Sequence, residues 1–76
     1  MMKLENIEVL IDGDGQVTLG NMRPVGCVAV ANDESETLAM LKRRPGESLT
    51  ELLERLDHAI ERAFEYDEHL DEINES

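Results

Sequence analysis

The sequence is poor in the groups that small proteins use to hold themselves together. Cysteine occurs once, at Cys27, which excludes an intrachain disulfide and any zinc cage built on cysteines. Tryptophan is absent and Phe64 and Tyr66 are the only aromatic residues, so the core has to be packed with aliphatic side chains. Bases are scarce: seven Lys and Arg stand against eighteen Asp and Glu, a formal charge of −11. A field of that sign repels phosphates and anionic lipid headgroups, so nucleic acid is disfavoured as a partner unless a local basic patch overrides the field. No window approaches the roughly 18 apolar residues that span a bilayer. The start Met1-Met2-Lys3-Leu4-Glu5 has no apolar signal region. These absences predict a cytoplasmic protein with no membrane attachment.

What is present suits one small folded unit. Hydrophobic residues make up 41% of the 76, enough for one core across residues 1–76, but a core of this size supplies only about 3–5 kcal/mol. With disulfides excluded, self-association is the remaining source of stability, and a homodimer is expected. The charge is uneven. Residues 1–46 hold seven acids and five bases, whereas residues 47–76 hold eleven acids and two bases, so the negative charge belongs to the last third.

Ile7, Val9 and Ile11 alternate with polar residues, Leu10 being the exception, and Gln16-Val17-Thr18-Leu19 alternates again. With Asp12-Gly13-Asp14-Gly15 between them, the two runs predict an antiparallel hairpin. Pro24 ends the pattern. Cys27-Val28-Ala29-Val30-Ala31 predicts a third strand, with valines on one face and small residues on the other, where something else approaches closely.

Residues 36–43 read two ways. Asp33 and Glu36 are spaced as an N-cap and its N3 partner ahead of good helix formers. Yet Leu38 and Met40 alternate with Ala39 and Leu41, and Asn32-Asp33-Glu34-Ser35 suits a turn. The strand is preferred, because it gives two hairpins, a sheet of about four antiparallel strands over residues 1–44, and a surface for a long helix to cover.

That helix has the clearest start in the chain. Arg44-Pro45-Gly46 breaks the preceding element, and Ser48 with Glu51 forms a capping box. Leu49, Leu52, Leu56, Ala59, Ala63, Tyr66, Leu70 and Ile73 follow steps of three and four, predicting an amphipathic helix over 48–73. At 1.5 Å per residue it would outrun a small sheet, reaching about 38 Å. Its far end is thus expected to meet another subunit or to fray, the acids of 67–76 repelling the negative end of the helix dipole. Leu52, Leu56, Ala59, Ala63, Phe64, Tyr66 and Leu70 are the candidate interface.

The candidate chemistry is thin. Glu54, His58, Glu61, Glu65, His69 and Glu72 form a carboxylate and imidazole stripe, but the order His-x-x-Glu on the polar face lacks the inward Glu-x-x-His of a di-metal bundle, and a solvated face is expected, with no metal. Asp12-Gly13-Asp14-Gly15-Gln16 is like the opening of a calcium loop, whose twelfth position, a bidentate acid in such loops, is Arg23 here. Cys27 lies in an apolar run with no nearby base and reads as a small core residue. No nucleophile–base pairing or phosphate-cradling loop is legible, so neither catalysis nor a cofactor is expected. Lys42, Arg43 and Arg44 are the one basic cluster, expected to neutralise acids of the helix within or between subunits.

Two functional classes follow. In the helical reading of residues 33–58, the strand Cys27–Ala31 precedes two helices, and this order, with Arg44-Pro45-Gly46-Glu47-Ser48-Leu49, resembles ribbon-helix-helix proteins and small antitoxins over less than half of the chain. The resemblance implies a DNA-binding transcriptional regulator or antitoxin. Cys27, Ala29 and Ala31, however, bring no polar or basic group to base edges. The class preferred on the residues is an α+β interaction module, homodimeric and non-catalytic, presenting an acidic surface to a basic partner protein.

Overall fold

The alternating run near the start of the chain folds as a helix, not as a strand. In the computed structural model, which describes residues 4–74, Glu5–Asp12 forms helix α1. Leu10, the residue that broke the alternation, explains why. Ile7 and Leu10 are three apart, share one helical face and are both buried, while Val9 and Ile11 are left exposed. Asp12–Gly15 is accordingly the link between α1 and the first strand instead of a hairpin turn. The Gly13 and Gly15 N–H groups both donate to the Leu10 carbonyl, at 3.2 and 2.8 Å. A Cβ on Gly15 would lie 2.8 Å from that carbonyl oxygen and against the Leu10 side chain, so the chain passes here only because the residue is glycine.

The expected second hairpin, between residues 27–31 and 36–43, forms, whereas the run at 16–19 pairs with that hairpin's first strand instead of with residues 7–11. Strand β1 is Gln16–Met22, β2 is Gly26–Asn32 and β3 is Thr37–Lys42. β1 pairs with β2, and β2 with β3, both antiparallel. The two readings of residues 36–43 are resolved as a strand, so the strand-helix-helix order of the alternative does not form. Asp33 makes the intervening turn: its carboxylate accepts from the Ser35 and Glu36 N–H groups, each at 2.8 Å. Those hydrogen bonds, led by the one from Ser35, hold the Asp33 carboxyl below its ordinary value. At the join Asn32 faces Thr37 while Ala31 faces Ala39, and Leu38 is the extra residue of a bulge. Leu38 is buried in the core.

The capping box is formed as the residues predict. The Ser48 hydroxyl accepts from the Glu51 N–H at 3.1 Å and the Glu51 carboxylate accepts from the Ser48 N–H at 2.8 Å. Helix α2 then runs from Leu49 to Tyr66, not to residue 73. Asp67, in the left-handed region with φ 56°, turns the chain back, and Leu70–Asp71 forms β4, parallel to β3. The sheet is therefore mixed, in the order β1-β2-β3-β4. The expected class holds: an α+β chain with a four-stranded sheet and a long helix in its C-terminal part. At 18 residues the helix spans about 27 Å, which suits a body measuring 31 × 30 × 20 Å. The expected frayed end is replaced by β4 and the residues after it through Asn74; residues 75–76 lie outside the described range.

Both helices sit on one face of the sheet. Ala29, Ala31 and Leu41 are fully buried there beneath Leu52, Leu56 and Ile60, and the small strand residues let α2 come close. Burial of each large aliphatic side chain is worth about 1.5–3 kcal/mol. Cys27 is a free thiol packed against this core and partly buried. By strand alternation and register, Thr18, Gly20, Val28, Val30 and Met40 point to the opposite face. No helix covers that face among the described residues.

Candidate interaction surface

The apolar stripe of α2 divides into two. Leu52, Leu56, Ala59 and Ala63 lie within the chain's own core, with at most 7% exposure, and are not free for a partner. Phe64, Tyr66 and Leu70 are 48, 63 and 44% exposed, the last of them on β4. The heptad spacing marks a buried face from Leu52 to Ala63 only, and the surface that covers it is the sheet of the same chain.

Arg55, which no sequence motif singles out, is the most heavily engaged side chain of α2. Its guanidinium grips Glu47 with two bonds, from Nε at 2.7 Å and from Nη2 at 3.0 Å. The same group donates to Glu72 at 2.9 Å and to the Lys42 carbonyl at 2.9 Å. Glu72 in turn accepts from the Lys42 N–H at 3.0 Å, and its own N–H donates to the Met40 carbonyl at 2.8 Å. One planar fork thus ties together the end of β3, the loop before α2 and the returning tail. The side chains of Arg55, Glu47 and Glu72 are only 21, 9 and 19% exposed. The signal that could have revealed this is the pair of lone bases, Arg55 and Arg62, in an otherwise acidic helix.

The Arg55 guanidinium, followed by the Arg44 N–H, holds the Glu47 carboxyl down from 4.5 to about 2. A carboxyl depressed by folding contributes stability that is present above its unfolded value and lost as the pH falls towards its folded one. The Glu47 contribution is therefore lost between pH 4.5 and about pH 2. Urea denaturation of the wild type and of Glu47→Gln through this range checks it. The expected result is a steeper acid loss in the wild type, and parallel curves would contradict it.

Of the basic cluster, Arg44 approaches Glu72 at 3.7 Å, and the Arg43 Nε donates to the Glu47 carbonyl at 2.7 Å. Lys42, Arg43 and Arg44 gather with Gly26 and Cys27 around one recess. The strand directions put the β1–β2 turn, with Arg23, at this same end of the sheet. The other end collects acids: Asp14, Asp33 and Glu34 line a second recess, and Glu36 and Asp67 lie within reach of His69 there. The molecule is polarised along its strands, basic at one pole and acidic at the other.

The polar stripe is also divided. Glu54, His58, Glu61 and Glu65 remain on α2, Glu61 half-buried and the other three exposed, whereas His69 and Glu72 leave the helix with the tail. Arg62 pairs with Glu68 at 2.7 Å and stacks on Tyr66, 5.3 Å from the ring centre. Both helical arginines are thus taken up by acids outside the helix, leaving Glu54, Glu61 and Glu65 without a hydrogen-bond or ion-pair partner among the described residues. His69 Nε2 lies 3.3 Å from Asp67 and 3.7 Å from Glu36. Those three side chains, all exposed, bring ligand-capable atoms within 4.8 Å of one another.

A groove of about 460 Å³ runs between α2 and the tail over Ala59 and Leu70, rimmed by Arg44, Arg55 and Arg62 on one hand and Glu51 and Glu54 on the other. Its lining has one imidazole, His58, and no serine, threonine or cysteine. Among the described residues no helix is long and apolar enough to cross a membrane. Comparison of the chain with protein-family models, with curated proteins and with solved structures gives no match.

Proposed function

We propose that this chain is a non-catalytic interaction module, homodimeric, that docks a basic partner protein on the outer face of α2. One observation carries the reading: Glu54, Glu61 and Glu65 stand on one helical face with no hydrogen-bond or ion-pair partner among the described residues, while both arginines of the helix are bonded to acids outside it. An anionic stripe of this kind steers a cationic surface into encounter and fixes its register. The formal charge of −11 favours a basic protein over a nucleic acid, and the cytoplasm is the expected compartment.

The test uses the immobilised protein and a lysine-rich protein or peptide. Binding is expected to weaken steeply with added salt, and the triple replacement of Glu54, Glu61 and Glu65 by glutamine is expected to slow association by about tenfold. Salt-independent binding, or binding untouched by the triple replacement, would remove the basis of the proposal. Duplex DNA at low salt, the most permissive condition, is expected to give no gel shift.

A further inference from the structure

The two edges of the sheet are finished differently. At one edge β4 is two residues long and carries Asp71, followed by Glu72. Short strands and charges are the usual means of keeping an edge from pairing with another chain. The other edge is β1, seven residues, Gln16–Met22, with five of the seven exposed. It has no charged residue and no proline, in a chain of which 33% is charged. Its register with β2 runs through all seven positions without a bulge. Every second residue of an edge strand turns its N–H and C=O away from the sheet, so β1 offers an unguarded row of backbone groups.

We infer that β1 is the seam of a homodimer, pairing antiparallel with β1 of a second copy about a two-fold axis at Leu19. The inference rests on the homodimeric reading above and names its surface. Charge selects both the occupant and the direction. β1 leaves the acidic pole after Asp12 and Asp14 and reaches the basic pole at Arg23. An antiparallel second copy lays its Arg23 beside Asp14, and its Asp14 beside Arg23, so opposite poles meet twice. A parallel pairing would set like against like. Neither Asp14 nor Arg23 has an ion-pair partner among the described residues. With Leu19 facing the partner's Leu19, Gln16 faces Met22 and all seven residues are matched. Leu19 and Met22, 39 and 40% exposed in the single chain, are then covered. Two four-stranded sheets become one continuous sheet with helices on the same face of each half.

Sedimentation equilibrium from micromolar to millimolar concentration tests this. The wild type is expected to be a dimer, and a wild type that stays monomeric throughout overturns both the seam and the homodimeric reading. Leu19→Lys sets two like charges opposite each other on the axis, and Thr18→Lys does nearly the same from the other sheet face. Each is expected to raise the dissociation constant at least about tenfold, with unchanged far-UV circular dichroism showing that the fold persists. Arg23→Asp is expected to weaken the dimer, and the swap Asp14→Arg with Arg23→Asp to restore it. A dimer indifferent to all of these overturns the seam alone and leaves the homodimer to another surface, the open sheet face with Val30 and Met40 first.

Discussion

Arg55→Ala is expected to lower the stability by about 2–3 kcal/mol, the largest effect of any polar substitution in the chain. Truncation does more than delete four hydrogen bonds. It leaves Glu47 and Glu72 facing each other in a partly desolvated site with only the exposed Arg44, 3.7 Å from Glu72, as counter-charge, and it releases the one guanidinium that grips both acids. Against a core worth about 3–5 kcal/mol this is a large fraction, and a melting-temperature drop of about 10 °C or more follows for a domain of this size. Arg55→Lys is expected to recover only part, because an ammonium cannot grip one carboxylate with two bonds while reaching a second. Thermal and urea denaturation followed by circular dichroism measure the loss. Amide exchange adds a local readout, with the Glu72 N–H, bonded to the Met40 carbonyl, exchanging fastest in the alanine variant. A loss below about 1 kcal/mol, the range of surface ion pairs, would show that the network is decorative.

The second large effect is expected at Asp57. Leu4, at the N-cap of helix α1, provides no side-chain cap, so the free N–H groups of the first turn need an acceptor from elsewhere. Asp57 of α2 supplies it: its carboxylate accepts from the Asn6 and Ile7 N–H groups at 2.9 Å each and from the Asn6 side-chain amide at 3.0 Å. The anion also sits at the positive end of the helix dipole. Asp57→Ala removes cap and docking point together, and the expected loss is about 2 kcal/mol. It should be accompanied by faster exchange of the Asn6 and Ile7 amides and by less helical signal, since an eight-residue helix does not persist in water by itself. Unchanged exchange at those two amides would show that α1 is held by Ile7 and Leu10 alone.

These two residues also show why the sequence was legible where it was. The capping box at Ser48 and Glu51, the turn at Asp33 and the strand after it are local devices, whose partners lie within a few residues. Ile7, Val9 and Ile11 are β-branched and alternate with polar residues, and local preference does favour a strand there. What overrides it is an acceptor about fifty positions away in sequence, together with burial of the one apolar residue out of phase. The overlong helix fails for a similar reason. Leu70 and Ile73 continue the apolar spacing of α2, and nothing within the stripe announces that the chain reverses at Asp67. The reversal is fixed by Arg62 with Glu68 and Arg55 with Glu72, pairs that become visible only when the tail is already folded back. Of the candidate interface residues, Leu52, Leu56, Ala59 and Ala63 go to the chain's own core while Phe64, Tyr66 and Leu70 stay exposed, because a periodic pattern tells which face is apolar and not what buries it.

The latch formed by Arg55 and Glu72 has a bearing on how far association can go. With β4 in place the sheet has one unguarded edge, and a surface with one such edge closes after a single pairing. When β4 lifts away, the backbone of β3 at Ala39 and Met40 is laid bare, and each copy then has two edges that accept a strand. A unit with two sticky edges does not stop at a pair; it grows into an open-ended ribbon. On the proposed seam, the two residues of β4 and the guanidinium that clamps the chain just beyond them would keep the assembly at a pair and not a fibre.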